Sequence, residues 1–193
     1  IGRASIRATH TVNQLLSLAR AESGSTHIAR EACDLVSLAQ EVIQDSVSRA
    51  LDKHIDLGYE GVEPGSPGVK VMGNATLLKE LMRNLVDNAI NYTPSTAEQP
   101  GIITVRVLAD RFSQVVVLQV EDSGPGIPKG ERELVFQPFY RALGTEADGS
   151  GLGLPIVTEI AHQHQATVSL EDAHPGKPMP GARFTVRFIH AQV

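Results

Sequence analysis

The chain has 193 residues, 41% of them hydrophobic, with one cysteine, no tryptophan and a formal net charge of −5. That length suffices for one good core and a small appendage, while an acidic balance without a basic block argues against nucleic-acid binding as the main activity. Cys33 alone excludes an intramolecular disulfide and reads as a small packed apolar group, and no apolar run approaches the roughly 20 residues of a membrane-spanning helix.

In chain order, Ile6 to Glu22 is an expected amphipathic helix. Ile6, Val12, Leu15, Leu16 and Ala19 recur at helical spacing, and Ser23-Gly24-Ser25 stops the pattern. Glu31 to Leu35 is a short predicted strand, with Asp34 as N-cap of a helix over Leu35 to Leu51. His54 to Tyr59 is a predicted strand, Glu60 to Gly68 a loop by its Gly and Pro content, and Val69 to Met72 a short strand. Asn74 is then the expected cap of a second helix. After a turn over Pro94 to Gly101, Ile102 to Leu108 and Val115 to Val120 form a hairpin. Lys129 to Phe136 is a predicted short helix, and Gln137 to Gly149, which lacks periodicity, an expected flap. Gly151 to His164 is helical in pattern, and Ala166 to Glu171 and Arg183 to Ile189 close the chain as strands around the loop His174 to Gly181.

Three stretches carry chemistry. In Lys79 to Thr93, at roughly 100° of rotation per residue, Asn84, Asn88 and Asn91 share one side of the helix. Leu77, Leu78, Leu81, Leu85 and Ala89 form the adjoining apolar stripe. Three stacked amides beside a core-facing stripe point to a polar ligand. In the second stretch, Val115 to Val120 runs into Glu-Asp122-Ser-Gly124-Pro-Gly126-Ile-Pro128. Alone, this is a turn between two elements. The third, Gly149-Ser-Gly151-Leu-Gly153, opens a helix and offers free N–H groups and a helix N-terminus to an anion. No Gly-Lys-Ser/Thr follows, and the motif does not sit after a first strand, so it is neither a Walker loop nor a Rossmann fingerprint.

Together with Phe136 and Phe139, these stretches resemble, in order, the N, G1, F and G2 boxes of bacterial sensor histidine kinases. The resemblance covers nearly the whole chain. It implies an α+β fold, a two-layer α/β sandwich of the Bergerat type in which a mixed sheet is covered on one face by helices, with an N-terminal helix in front. It further implies residues 1-24 as the C-terminal part of the second dimerisation and phosphoacceptor helix, and residues 25-193 as the catalytic ATP-binding domain. In the family, a phosphoacceptor histidine is followed by an acidic residue and a proline. His10 is followed by Thr11-Val12-Asn13, so the acceptor is expected outside this chain.

ATP and Mg²⁺ are the ligands the resemblance implies. Asn88 matches the family's metal ligand, with Asn84 and Arg141 assisting phosphate positioning. Asn91 stands where many members carry Lys or Arg. Asp122 would accept from the adenine amine; Tyr92, Gly124, Gly126 and Ile127 would surround the base; Gly149, Gly151, Leu152 and Gly153 would receive phosphate. The implied partners are the chain's own hairpin, a response-regulator receiver domain and a second copy in the full-length protein, with no nucleic acid. This piece, which begins at Ile1, is expected to be a cytoplasmic part of a longer protein in the bacterial inner membrane. Gyrase B, the Hsp90 chaperones and mismatch-repair ATPases share such a fold but place a glutamate, a general base for water, one turn before the metal ligand. Here that position is Asn84, and Glu80 lies a turn further away. An anti-sigma-type serine kinase is a second alternative, opposed by the Ile6 to Glu22 helix, and a degenerate ATP-binding module used only for docking is a third, opposed by Asn88, Asp122 and the glycines.

Overall fold

The computed structural model describes residues 29–109, 112, 114–140 and 151–189. The expected helix at Ile6 to Glu22 lies outside them. Two short strands, β1 (Glu31–Asp34) and β3 (Lys70–Gly73), pair antiparallel as a small separate sheet. The main sheet has the order β2 (Asp56–Gly61), β4 (Ile102–Ala109), β5 (Val115–Asp122), β7 (Ala182–Ile189), β6 (Thr167–Asp172). It is mixed: β2 and β4 are parallel, and the other neighbours are antiparallel.

Three helices, α1 (Leu35–Asp52), α2 (Ala75–Tyr92) and α3 (Gly153–Gln163), lie side by side over one face, with α2 packed against both others. Period-two alternation explains the core. Ile103, Val105 and Val107 of β4, Val116, Leu118 and Val120 of β5, and Phe184, Val186 and Phe188 of β7 are buried. They meet Leu78, Leu81, Leu85 and Ala89 of α2, and Ile156, Val157 and Ile160 of α3, in one cluster. The opposite face carries a row of alternating charge. Arg106 bonds Glu60 and Glu121 at 2.8 and 2.9 Å, and Arg183 bonds Glu121 and Glu171 at 2.8 and 3.4 Å. The sandwich is therefore two-layered, with the described helices on one face only.

Both expected N-caps form. Asp34 Oδ1 accepts from the N–H groups of Val36 and Ser37, and Asn74 Oδ1 from that of Leu77. Strand β2 begins two residues later than the sequence predicts, because His54 is taken up in ending α1. It stands at φ 58°, its N–H bonds Leu51 O, and the N–H of Ile55 bonds Ala50 O. This is a Schellman motif with histidine where glycine is usual. The end of α3 repeats it, with Gln165 at φ 54° bonding His162 O, and Ala166 bonding Ala161 O. The short helix expected over Lys129 to Phe136 is instead two 3₁₀ turns, Lys129–Glu131 and Leu134–Phe136. Helix α3 starts at Gly153 rather than Gly151, whose φ of 73° does not belong to a right-handed helix.

Candidate functional site

Helix α2 sets the layout. Its last residues abut the turn after β5: a Cβ on Gly124 would lie 3.1 Å from Tyr92 O and 3.0 Å from Asp122 Oδ1. Its N-cap, Asn74, donates its backbone N–H to His164 Nε2 at the far end of α3, over 3.1 Å. The two helices are thus antiparallel. Eleven residues of α3 span roughly 16 Å, and the same rise along α2 reaches the level of Leu85. The N-terminus of α3 therefore lies level with Leu85, between Asn84 and Asn88 along α2, while the turn of Asp122 stands beside Tyr92 and Thr93. The site has an order along α2, with the acidic turn at one end and a helix N-terminus at the other.

At the first end Asp122 is buried and held by backbone. Its Oδ1 accepts from the N–H groups of Gly124 at 2.9 Å and Ala182 at 3.2 Å. Oδ2 makes no hydrogen bond among the described residues. Burial pushes the carboxyl up, the two N–H bonds pull it down, and neighbouring Glu121 adds to the rise, leaving it above the ordinary aspartate value. Glu121 behaves oppositely: burial disfavours its charge, but hydrogen bonds from Arg183 and Arg106 outweigh this and hold it low. Beside the turn, Thr93 is fully buried and its Oγ1 has no partner among the described residues. The open carboxylate oxygen and the close backbone of the turn fit a small planar polar group such as a purine.

Glycine is obligatory at two places here. Gly181, at φ 68°, would put a Cβ 2.0 Å from Asp122 O, and Gly126, at φ 74°, would put one 2.9 Å from Pro180 Cγ. Arg132 adds a clasp: Nε donates to Ile127 O at 3.0 Å and Nη2 to Asp172 at 2.8 Å, tying the turn to the end of β6. Gly181, Arg132 and Asp172 escape sequence reasoning. Asp172 lies 40 positions from Arg132, and Gly181 lies 59 from Asp122, and no local pattern marks them.

Along the wall, Asn84 is buried, with Nδ2 donating to Glu80 O at 2.8 Å and lying 3.2 Å from Glu80 Oε1. The other oxygen of Glu80 accepts from Arg83 at 3.1 Å. Asn88 and Asn91 are half-buried, and their side chains make no hydrogen bond among the described residues. Among the same residues no group of three His, Cys, Asp or Glu side chains is placed to hold a metal. The donor set fits a hard cation that takes one amide oxygen from protein and the rest from phosphate and water.

At the second end, Leu152 is buried and precedes α3 with no side-chain cap. Gly151 faces Phe139: a Cβ would meet Phe139 Cα at 2.7 Å, and Phe139 donates its N–H to Gly151 O at 2.9 Å. Phe139 itself is left-handed, at φ 63°. Phe136 packs edge-on to Phe184 with centroids 6.1 Å apart. The flanks of residues 141–150 are thus pinned together. Arg141 and Gly149 lie outside the described residues. The expected Asn84, Asn88, Asn91, Tyr92, Asp122, Gly124, Gly126, Ile127, Gly151, Leu152 and Gly153 are assembled around the α2 and α3 pair.

Residues 73–192 match the family model described as histidine kinase-, DNA gyrase B- and HSP90-like ATPase. The chain is similar to the sensor protein kinase PmrB of Pseudomonas aeruginosa, 34% identical over 92% of this chain and 35% of that protein. It is also similar to the sensor protein QseC of Escherichia coli O157:H7, 35% identical over 88% of this chain and 35% of that one. It therefore spans about a third of the length of these curated relatives. Among solved structures, a mycobacterial sensor histidine kinase, MprB, superposes with a TM-score of 0.71 at 26% identity, covering 86% of this chain and all of that one. The catalytic domain of the histidine kinase ThkA gives 0.69 at 25%, covering 84% and 97%. With the match covering well over half of its length, and sensor histidine kinases as its relatives, the chain belongs to the histidine kinase-, DNA gyrase B- and HSP90-like ATPase family.

Proposed function

We propose that this chain is the ATP-binding catalytic part of a sensor histidine kinase. It transfers the γ-phosphoryl group of ATP to a histidine beyond residues 1–193, from which the group passes to an aspartate of a response regulator. Residues 1-24 are read as the end of the second dimerisation helix and 25-193 as the catalytic domain. The observation that carries the reading is Asp122. Two backbone N–H groups fix one oxygen, leaving the other for the adenine amine, a pairing that guanine, with its O6 acceptor, does not offer. Tyr92, Gly124, Gly126 and Ile127 flank the base.

At the other end, the N–H groups of Gly151, Leu152 and Gly153 and the start of α3 donate to phosphate oxygens, with Gly149 and Arg141 assigned to the same task. Asn88 would hold Mg²⁺, with Asn84 and Asn91 positioned toward phosphate or metal-bound water. The ion supplies charge neutralisation on the phosphates, which positioning-based phosphoryl transfer requires. Among the described residues the wall contains no free base for water. Asn84 occupies the hydrolases' glutamate position, and Glu80 is engaged by Asn84 and Arg83. Transfer to a histidine on a separate hairpin, in a dimer, follows better than hydrolysis. No described helix is long and apolar enough to cross a membrane; the full-length protein is proposed to reside in the inner membrane, with this part cytoplasmic.

The test adds γ-labelled ATP to the chain with and without a separately made histidine-bearing hairpin. Label is expected on the hairpin alone. Rapid phosphate release by the chain by itself overturns the kinase reading in favour of a hydrolase.

A further inference from the structure

The contact between His164 and Asn74 joins the two helices that carry the amide wall and the glycine box, at the end remote from the nucleotide. Its chemistry is fixed by its partners. Asn74 offers an N–H, so His164 Nε2, 3.1 Å away, must present a lone pair. Ile160 offers a carbonyl, so Nδ1, 2.7 Å away, must carry the proton. Only the neutral ring with hydrogen on Nδ1 satisfies both. The ring also lies close against β3. A Cβ on Gly73 would fall 2.6 Å from its Cδ2 and 2.8 Å from its Nε2, so glycine there makes the approach possible.

Asn74 is bound on every side: its Oδ1 caps Leu77, its O accepts from Leu78, and its Nδ2 donates to Ala29 O. A change at His164 therefore moves the start of α2 as a unit, and a helix transmits that movement along its length. The balance of groups around the ring favours the neutral form. Burial comes first in lowering its basicity, the Ile160 carbonyl opposes this, and Arg30, held 2.6 Å from Gln163 O, lowers it further. Strand β3 brings Gly73 and α2 brings Asn74 and Leu78, none of them charged.

We propose that His164 is a positioning residue for the nucleotide site: the neutral imidazole sets the register of α2 against α3, and so the placement of Asn84 and Asn88 beside the N-terminus of α3. Protonation would turn Nε2 into a donor facing the Asn74 N–H, break the bond and release that register. The residue touches no nucleotide. The inference rests on the ATP-binding reading and extends it to a pH dependence of affinity.

The experiment measures ATP affinity with Mg²⁺ by calorimetry from pH 5 to 8 on the 193-residue chain, alongside far-UV circular dichroism. It compares wild type, His164→Gln and His164→Leu. An amide accepts from Asn74 and donates to Ile160 but does not titrate, so H164Q is expected to bind at pH 7.5 like wild type and to lose the weakening at acid pH. H164L, with both bonds gone, is expected to bind roughly threefold to tenfold more weakly at every pH. Wild type is expected to weaken by a similar factor below pH 6 while its circular dichroism is unchanged. Equal acid weakening in wild type and H164Q, or an unchanged affinity in a folded H164L, overturns the proposal. Nitrogen NMR of the imidazole separates this from the parent reading. Absence of ATP binding in wild type at any pH defeats the ATP assignment, whereas an Asn74 amide shift that fails to follow the His164 titration defeats the latch by itself.

Discussion

Helix α2 has two unlike flanks. Toward α1 it is laced by charge at a constant offset of 38 residues: Lys79 with Glu41 at 3.2 Å, Arg83 with Asp45 at 3.7 Å, Arg49 with Asp87 at 2.5 Å. Lys53 ends the series on Ile90 O at 2.6 Å. A constant offset means two parallel helices whose side chains repeat every four residues, so each turn finds the same neighbour. Toward α3 and the turn of Asp122 there is no such lacing among the described residues. Amides, an open carboxylate oxygen and an orphaned hydroxyl stand there instead. The first flank is satisfied within the protein, whereas the second holds Asn88, Asn91 and one oxygen of Asp122 with no hydrogen bond among the described residues, and the proposed nucleotide would supply their partners. Substitutions on the second flank should therefore change binding more than stability, and on the first the reverse.

The strongest test is Asp122→Asn. The amide Oδ1 can still accept from Gly124 and Ala182, but its N–H₂ opposes the adenine amine. Loss of a charge-assisted hydrogen bond combined with a donor facing a donor predicts about a hundredfold weaker ATP binding or more. Stability should move the other way. The Asp122 carboxyl is raised in the fold, so the folded chain holds this proton more tightly than the unfolded chain. That contribution is complete at low pH and is lost as pH rises through the folded value, which makes the ionised group a cost at neutral pH. The D122N variant should hence melt no lower than wild type at pH 7.5. Calorimetric titration and a thermal melt check the pair, and a variant that loses stability as well as affinity would erase the distinction between the flanks.

Asn88→Ala is next. If this amide holds Mg²⁺, affinity should fall about tenfold with magnesium present and little in EDTA, with the melting temperature nearly unchanged. Equal losses in both conditions would return Asn88 to an ordinary half-buried side chain.

The flanks also differ in how far the sequence revealed them. Local chemistry was readable: Asp34 and Asn74 precede apolar periodic runs and cap them, and alternation in Ile102 to Leu108 and Val115 to Val120 predicts the hairpin that forms. Asp122, Asn84 and Asn88 could be singled out as candidates because strand end, glycine turn and helical spacing occur in one short stretch each. What stayed hidden depends on contacts between distant residues. Gly181 serves the Asp122 turn 59 positions earlier in the chain, and His164 bonds a nitrogen 90 positions earlier. The residue types there, a glycine after a proline and a histidine at a helix end, have commoner explanations. The late start of β2 was hidden because a left-handed histidine carries no signature that glycine would have given.

That histidine gives a control across both flanks. His54 ends α1 and Gln165 ends α3 in the same left-handed geometry, at φ 58° and 54°. His54→Gly and Gln165→Gly each remove the Cβ penalty while the unfolded chain gains freedom, and the net expectation is a gain of about 0.5 kcal/mol apiece. Chemical denaturation measures it. Equal gains would show that helix endings are indifferent to which flank they serve; a gain at His54 alone would mean that the α3 end is held by its neighbours, His164 included.

The smallest effect is expected on the laced flank itself. Arg49 is about half exposed, with a side-chain accessibility of 49% against 21% for Asp87, so solvent screens the pair and its contribution falls in the range of exposed ion pairs. Arg49→Ala should cost about 0.5 kcal/mol at low salt, and the deficit should shrink as ionic strength rises toward about 1 M, where the screening length falls to roughly 3 Å. Affinity for ATP should not change, because α2 remains tied to α1 by Lys53, Arg83 and the apolar stripe. A loss of affinity that salt reproduces in wild type would mean that the charge lacing also sets the position of the amide wall, and that α2 transmits across its width as well as along its length.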